Sequence, residues 1–274
     1  MTPLDTPLHV VDRGAGRPGA PIFLLVHGFG ATHATWRRWL PALERRGRVV
    51  LVDLKGFGDS RKPDDGRYGP LDQTQLLVDL VLSLGVERLV PIGHSYGGGL
   101  VLLTASALAE RAPGLVERLV VIAGAAYPQR LPPFVTLART PRLTTLALRL
   151  IGAERVIRTA FRSVVHDASC VDPAQVRSYA APLATGAGAR ALLAAARQIV
   201  PPDLTSVAAG YARIAAPTLL LWGAHDRVVP LATGRRLESE MPDARLVVLG
   251  ECGHVPQEER PEESLRIVEA FLDG

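Results

Sequence analysis

The sequence predicts an α/β protein: a mostly parallel β-sheet with helices on both faces, interrupted by a helical insertion. Three observations predict it. Short apolar runs alternate with helix-patterned segments from residue 8 to 123, and again from 217 to 272. Parallel strands need crossovers, and a sheet buried on both faces reads as continuous apolar runs. Residues 128–213, in between, carry no strong strand pattern and several helical stretches rich in Ala, Leu and Arg. Finally, VPIGHSYGGGL (residues 90–100) sets a Ser among glycines where a strand becomes a helix.

Taken in order, 8–12 (LHVVD) reads as a short strand and 14–19 as a turn. The apolar run 21–28, closed by Gly28, is a buried strand. Residues 34–46 have helical spacing, with Pro41 as a kink or break. Residues 48–56 are the next strand and its turn. Residues 71–84 read as a helix that Gly85 stops. Strand 88–93, helix 96–111 and strand 118–123 follow. After the insertion come strand 217–223, helix 231–240, strand 244–249 and helix 260–272. The division this implies is a core of 1–127 and 214–274 and a helical cap of 128–213.

The totals bound the function. The chain has 274 residues, 47% hydrophobic and 21% charged, with a formal net charge of +4. That length buries a core without a disulfide or metal staple. Lys55 and Lys62 are the only lysines, so the positive charge is nearly all Arg. No basic run is interleaved with aromatics, which speaks against a nucleic-acid partner. Cys170 and Cys252 have no metal-ligand spacing and read as reduced thiols. No run reaches the ~18 apolar residues of a membrane span. The N-terminus (MTPLDTPLHVVDRG) has no signal-like apolar core. A cytoplasmic protein with no stable membrane insertion is expected.

Gly93-His94-Ser95-Tyr96-Gly97 matches G-x-S-x-G in the strand–turn–helix context that motif requires. The chain must reverse within a few residues, and side chains two before and two after the Ser would collide, so glycines stand there. The hydroxyl is then held clear of the sheet at the carboxyl ends of the strands, where open α/β sheets bind ligands. A Ser needs a base, oriented by a carboxylate, in the chain order Ser, acid, His. Asp226 follows strand 217–223, and His254 follows strand 244–249. Ser95, Asp226 and His254 are therefore the candidate triad. Of the seven histidines, His94 is expected to point away from the nucleophile, His225 and His166 to be structural or surface residues, and His9 and His33 to lack a strand-end acid. His27 is expected to bond within its loop, and Asp53 is read as structural. For the oxyanion, the amide of Tyr96 is one donor and that of Phe29, in His27-Gly28-Phe29-Gly30, the other.

With these residues in place, the sequence resembles the α/β-hydrolase superfamily of capped, Ser-dependent hydrolases. The matching stretches are HGFG (27–30), DLKGFGDS (53–60), GHSYGG (93–98), GAHDRVVP (223–230) and GHVPQEERPEE (253–263). The resemblance implies an eight-stranded, mostly parallel sheet, a helical cap and no cofactor. Ser at position 95 argues against similarity to haloalkane dehalogenases and epoxide hydrolases, which use a carboxylate nucleophile. Carbon–carbon bond hydrolases of aromatic ring cleavage keep the Ser triad. They often carry Gly-Pro-Gly in the oxyanion loop and Trp after the catalytic His, where this chain has Phe29-Gly30-Ala31 and Val255. Cofactor-free perhydrolases share the same constellation. The expected activity is a carboxylesterase reaction through an acyl-enzyme on Ser95. Carbon–carbon or perhydrolase chemistry, and a non-catalytic ligand-binding role, stand as alternatives.

The pocket is expected to combine Gly28, Phe29, Tyr96, Tyr127, Val228 and Val255 with cap side chains, which suits a small-molecule ester with an acyl or aryl group. The insertion holds eleven arginines against four acids (Glu154, Asp167, Asp172, Asp203), a formal +7 that leaves −3 for the rest. Arg155, Arg158 and Arg162 fall on one helical face, which reads as solvated rather than membrane-binding. Trp36 and Trp39 are expected to pack helix on sheet, and Cys252 to be a buried small hydrophobe. The protein is expected to act as a monomer or homodimer.

Overall fold

The computed structural model describes residues 6–14 and 19–274. A seven-stranded sheet runs through it: β1 (His9–Arg13), β2 (Ile22–Val26), β3 (Arg48–Asp53), β4 (Leu89–His94), β5 (Leu119–Ile122), β6 (Thr218–Gly223) and β7 (Ala244–Leu249). The spatial order is β1-β3-β2-β4-β5-β6-β7. β1 is antiparallel to β3 and every other pairing is parallel. The eight strands implied by resemblance are therefore seven among the described residues. The turn expected at 14–19 falls largely on residues 15–18, outside the described residues.

Alternation within each strand builds two cores, one per face. In β2, Leu24 and Val26 join a cluster with Val50, Val52, Leu77, Val78, Val101 and Trp222, while Phe23 and Leu25 join Trp36, Trp39, Leu43, Val90, Ile92, Leu221 and Val268 on the other face. Each fully buried Leu of β2 contributes roughly 2–3 kcal/mol. The helices that cover these faces are α1 (Leu40–Arg46), α2 (Pro70–Ser83), α3 (Tyr96–Arg111) and, after β6, α10 (Leu231–Glu240), α11 (Pro256–Glu259) and α12 (Pro261–Asp273).

The expected helix 34–46 is broken. His33–Trp36 is a single 3₁₀ turn, capped by the Thr32 hydroxyl, which accepts from the Ala34 amide. Pro41 sits in the first turn of α1, where its missing N–H costs nothing. Trp36 and Trp39 are fully buried with ring centroids 5.6 Å apart. Strand 8–12 starts one residue later than expected, and α11 is an extra turn before α12.

Between β5 and β6 the chain forms α4 (Pro133–Ala138), α5 (Pro141–Leu150), α6 (Ala153–Val164), α7 (Pro173–Leu183), α8 (Gly186–Gln198) and α9 (Leu204–Ala208). These inserted helices lie over the carboxyl ends of the strands. Glu258, in α11, ties α7 to the core: it accepts from Thr35 Oγ1 (2.7 Å), Tyr179 OH (2.5 Å) and Arg37 (3.3 Å). Burial pushes its carboxyl above the ordinary Glu value despite these donors. No helix of the structure is long and apolar enough to cross a membrane.

Candidate active site

Sheet order decides where the site forms. β2 connects outward to β3 while β4 continues the other way, so the strand order reverses between β2 and β4. Loops leaving the sheet on either side of that reversal open a crevice at its carboxyl edge. Val26 pairs with Gly93, so His27–Gly30 and His94–Ser95 leave the sheet side by side.

Ser95 has φ 55° and ψ −117°, a left-handed conformation for a residue with a side chain. The turn is held by its neighbours: the Ser95 amide donates to the Ile122 carbonyl (2.8 Å), and the Ala125 amide to the Ser95 carbonyl (3.0 Å). The flanking glycines are steric requirements. A Cβ on Gly93 would lie 2.3 Å from the Gly97 carbonyl oxygen, and one on Gly97 2.4 Å from those of Val26 and His27.

Gly223, the last residue of β6, pairs with Leu249, the last of β7. The two loops that follow therefore run together and bring Asp226 to His254. Ser95 Oγ lies 2.8 Å from His254 Nε2, and His254 Nδ1 lies 2.8 Å from Asp226 Oδ2. Asp226 Oδ1 accepts the amides of Val228 (2.7 Å) and Val229 (3.0 Å), which fixes the carboxylate plane. With Nδ1–H donated to Asp226, Nε2 is left to accept from Ser95.

Tyr96 opens α3, so its amide has no intrahelical acceptor and points out of the helix N-terminus. Phe29 sits across from it, the two rings edge to face at 6.4 Å. Gly28 lets this loop approach: a Cβ there would lie 3.1 Å from His94 Nδ1 and 3.2 Å from Ser95 Cβ.

These groups open into a cavity of about 900 Å³. Gly28, Phe29, Tyr96, Tyr127, Val228 and Val255 all line it, together with Ser95 and His254. The inserted helices supply the rest of the wall, including Val135, Leu148, Phe161 and Leu192. No sequence signal pointed to those four, because only packing decides which face of an inserted helix looks inward. Tyr127 also donates to Glu240 (2.7 Å), which anchors it to α10.

The remaining histidines divide. His94 is buried, and its Nε2–H donates to the carbonyl oxygen of His254 (2.8 Å). Burial, then the neighbouring His254, hold its pKa well below the ordinary value. It is therefore a neutral, buried structural residue that supports the His254 loop. His27 Nδ1–H donates to the Gly28 carbonyl (2.8 Å), and its Nε2 accepts the Leu54 amide (3.0 Å). His33 departs from expectation. It does have a strand-end acid, because Thr32–Trp36 folds back over the end of β3 and brings its Nδ1 to 3.1 Å from both Asp53 oxygens. Asp53 also accepts the amides of His33 (2.7 Å) and Asp59 (2.9 Å). His225 and His166 stack at the surface with centroids 4.1 Å apart. Cys252 is fully buried, and burial pushes its thiol pKa up.

A model of the alpha/beta hydrolase family matches residues 23–267. The 2-hydroxymuconate semialdehyde hydrolase of Pseudomonas putida is 31% identical over 274 residues, covering 97% of this chain and 90% of that protein. The 2-hydroxy-6-oxo-2,4-heptadienoate hydrolase of P. putida strain F1 is 31% identical over 280 residues, covering 98% and 93%. The crystal structure of the enol-lactonase from Burkholderia xenovorans LB400 superposes with a TM-score of 0.78 at 26% identity, covering 97% of this chain and 96% of that one. With seven sheet strands, a Ser-bearing turn after β4 and a family match across nearly its whole length, this chain belongs to the alpha/beta hydrolase family.

Proposed function

We propose that this protein is a serine hydrolase of apolar carbonyl compounds, with residues 128–213 as its cap, and that it cleaves a carbon–carbon bond next to a ketone. The observation that carries the hydrolase reading is the chain of two 2.8 Å contacts from Ser95 through His254 to Asp226, opening into an apolar cavity of about 900 Å³. The two relatives at 31% identity, by name a 2-hydroxymuconate semialdehyde hydrolase and a 2-hydroxy-6-oxo-2,4-heptadienoate hydrolase, support the carbon–carbon class.

In this mechanism Ser95 Oγ attacks the carbonyl carbon as its proton passes to His254 Nε2. Asp226 holds the Nδ1–H tautomer and stabilises the imidazolium. The amides of Phe29 and Tyr96 receive the oxyanion; one such donor is worth about 10²–10³ in rate. The electron pair of the breaking bond leaves with the conjugated fragment, and His254 returns its proton to that carbon. Water, deprotonated by His254, then releases the acid from Ser95.

A second reading keeps every role and replaces the leaving carbon by oxygen, giving an ester or lactone hydrolase. It is supported by the likeness to the enol-lactonase structure. It is supported too by Val255 and Phe29-Gly30-Ala31, where ring-cleavage hydrolases often carry Trp and Gly-Pro-Gly. One experiment separates the two. Wild type and Ser95→Ala are assayed on a ring-fission dienone and on p-nitrophenyl esters from acetate to palmitate, with fluorophosphonate labelling alongside. Ser95-dependent loss of the dienone chromophore supports carbon–carbon cleavage. Turnover of esters alone moves the assignment to the second reading. No turnover and no labelling of folded protein would reject both, leaving a ligand-binding role.

A further inference from the structure

The inserted helices carry a surface that hydrolysis does not use. Nine large hydrophobic side chains are exposed among the described residues, and five of them fall within fifteen consecutive positions: Leu137, Leu143, Leu146, Leu150 and Ile151. Leu150 is 76% exposed, and Leu143 and Leu146 just over half. In α5 the three leucines stand at i, i+3 and i+7, one continuous stripe along the helix. Thr144, Ala147 and Leu148 of the same helix line the cavity, so the stripe is a separate face.

Charge surrounds it. Arg142 and Arg149, seven apart, run alongside the stripe, and Arg139, Arg155, Arg158 and Arg162 are exposed on the adjoining segments. From residue 128 to 162 there are seven arginines and a single acid, Glu154, which is already paired with Arg158. Leu137 and Ile151 both line the cavity and reach solvent, so the stripe borders the cavity mouth.

We propose that α5, with the adjoining ends of α4 and α6, docks on an anionic lipid surface and seats the cavity mouth on the headgroup layer. Leucines flanked by arginines are what such a surface selects: apolar side chains enter the headgroup–acyl boundary while guanidinium groups meet lipid phosphates. A second copy of this chain is a poorer occupant. A two-fold interface would set this arginine-rich patch against itself with almost no acids to answer it. The docking is peripheral, consistent with no helix being able to cross a membrane. It does not rest on which bond the active site cleaves.

The test uses the full-length protein with vesicles of phosphatidylcholine alone or with phosphatidylglycerol added. Wild type is expected to co-sediment with the anionic vesicles and to be released by high salt. A Leu143→Ser, Leu146→Ser, Leu150→Ser variant and an Arg142→Glu, Arg149→Glu variant should each lose binding by ~10-fold or more. None of these five residues lines the cavity, so labelling of Ser95 by a fluorophosphonate should match wild type and show that the variants remain folded. The proposal is overturned if wild type ignores anionic vesicles, if the variants bind as well as wild type, or if the leucine variant instead converts a solution dimer to a monomer.

Discussion

His94 Nε2 donates a 2.8 Å hydrogen bond to the backbone carbonyl of His254, so the residue before the candidate nucleophile holds the loop that carries its base. The two imidazoles lie 4.9 Å apart, and His94 Nδ1 has no partner among the described residues. A neutral, buried donor suits this task, since a second cation here would oppose the imidazolium that the proposed mechanism asks of His254.

Replacing that donor should therefore disturb catalysis more than binding. His94→Phe keeps ring bulk and removes the hydrogen bond; kcat is expected to fall by ~10- to 100-fold with KM little changed. His94→Gln, which can still donate, should recover part of the loss. Equal effects on kcat and KM, or no rescue by Gln, would reduce His94 to a packing residue.

Two glycines should respond differently to one added methyl. In Gly97→Ala the Cβ meets carbonyl oxygens of β2 and its loop at 2.4 Å, and backbone in the sheet centre cannot yield. A loss of about 3 kcal/mol is expected, read as a lowered urea midpoint. In Gly28→Ala the contacts are with His94 and Ser95 side chains at 3.1 and 3.2 Å. That variant should fold with a cost near 1 kcal/mol, so about 1 kcal/mol in stability but a clear fall in kcat is the expected pair.

Under the proposed function, the cavity wall sets substrate size. Val228→Trp or Val255→Trp fills space within the lined volume. Each should shift preference toward short acyl or small ketone substrates, by roughly 10-fold in relative kcat/KM. An unchanged profile would take that residue out of the substrate's path.

Asp53 supplies a pH-dependent share of stability. Burial raises its pKa, but the His33 hydrogen bond, the nearby His27 and the amides of Asp59 and His33 outweigh it and hold the carboxyl at about 2 instead of 3.8. The folded pKa is the lower one, so the contribution is present above the unfolded value and disappears as pH falls through about 2. It amounts to about 2 kcal/mol. Asp53→Asn should lose that amount near neutrality and converge toward wild type in acid. A constant difference across the range would contradict the assignment.

Much of this was legible in the chain order. G-x-S-x-G after an apolar run, an acid after the next-to-last strand and a His after the last place three side chains on one sheet edge whatever the details of packing. The His33–Asp53 contact was not legible. It depends on a 3₁₀ turn folding back over β3, and Pro41 placed the break in 34–46 without showing where the turn would point. The partner of His94 was equally out of reach: its neighbour in sequence is Ser95, but its hydrogen-bond partner lies 160 positions away.

By itself, the sequence determined the alternation of elements, the strained Ser turn and the chain order of candidate nucleophile, acid and base, because these follow from local periodicity and from backbone sterics within a few residues. Tertiary structure alone decided the 2.8 Å contacts, the inward faces of the inserted helices and the exposed leucine stripe beside the cavity mouth. Those depend on how amphipathic helices of similar composition settle against one another and over the sheet. Burial energy favours many such arrangements about equally, and only the full set of contacts selects one.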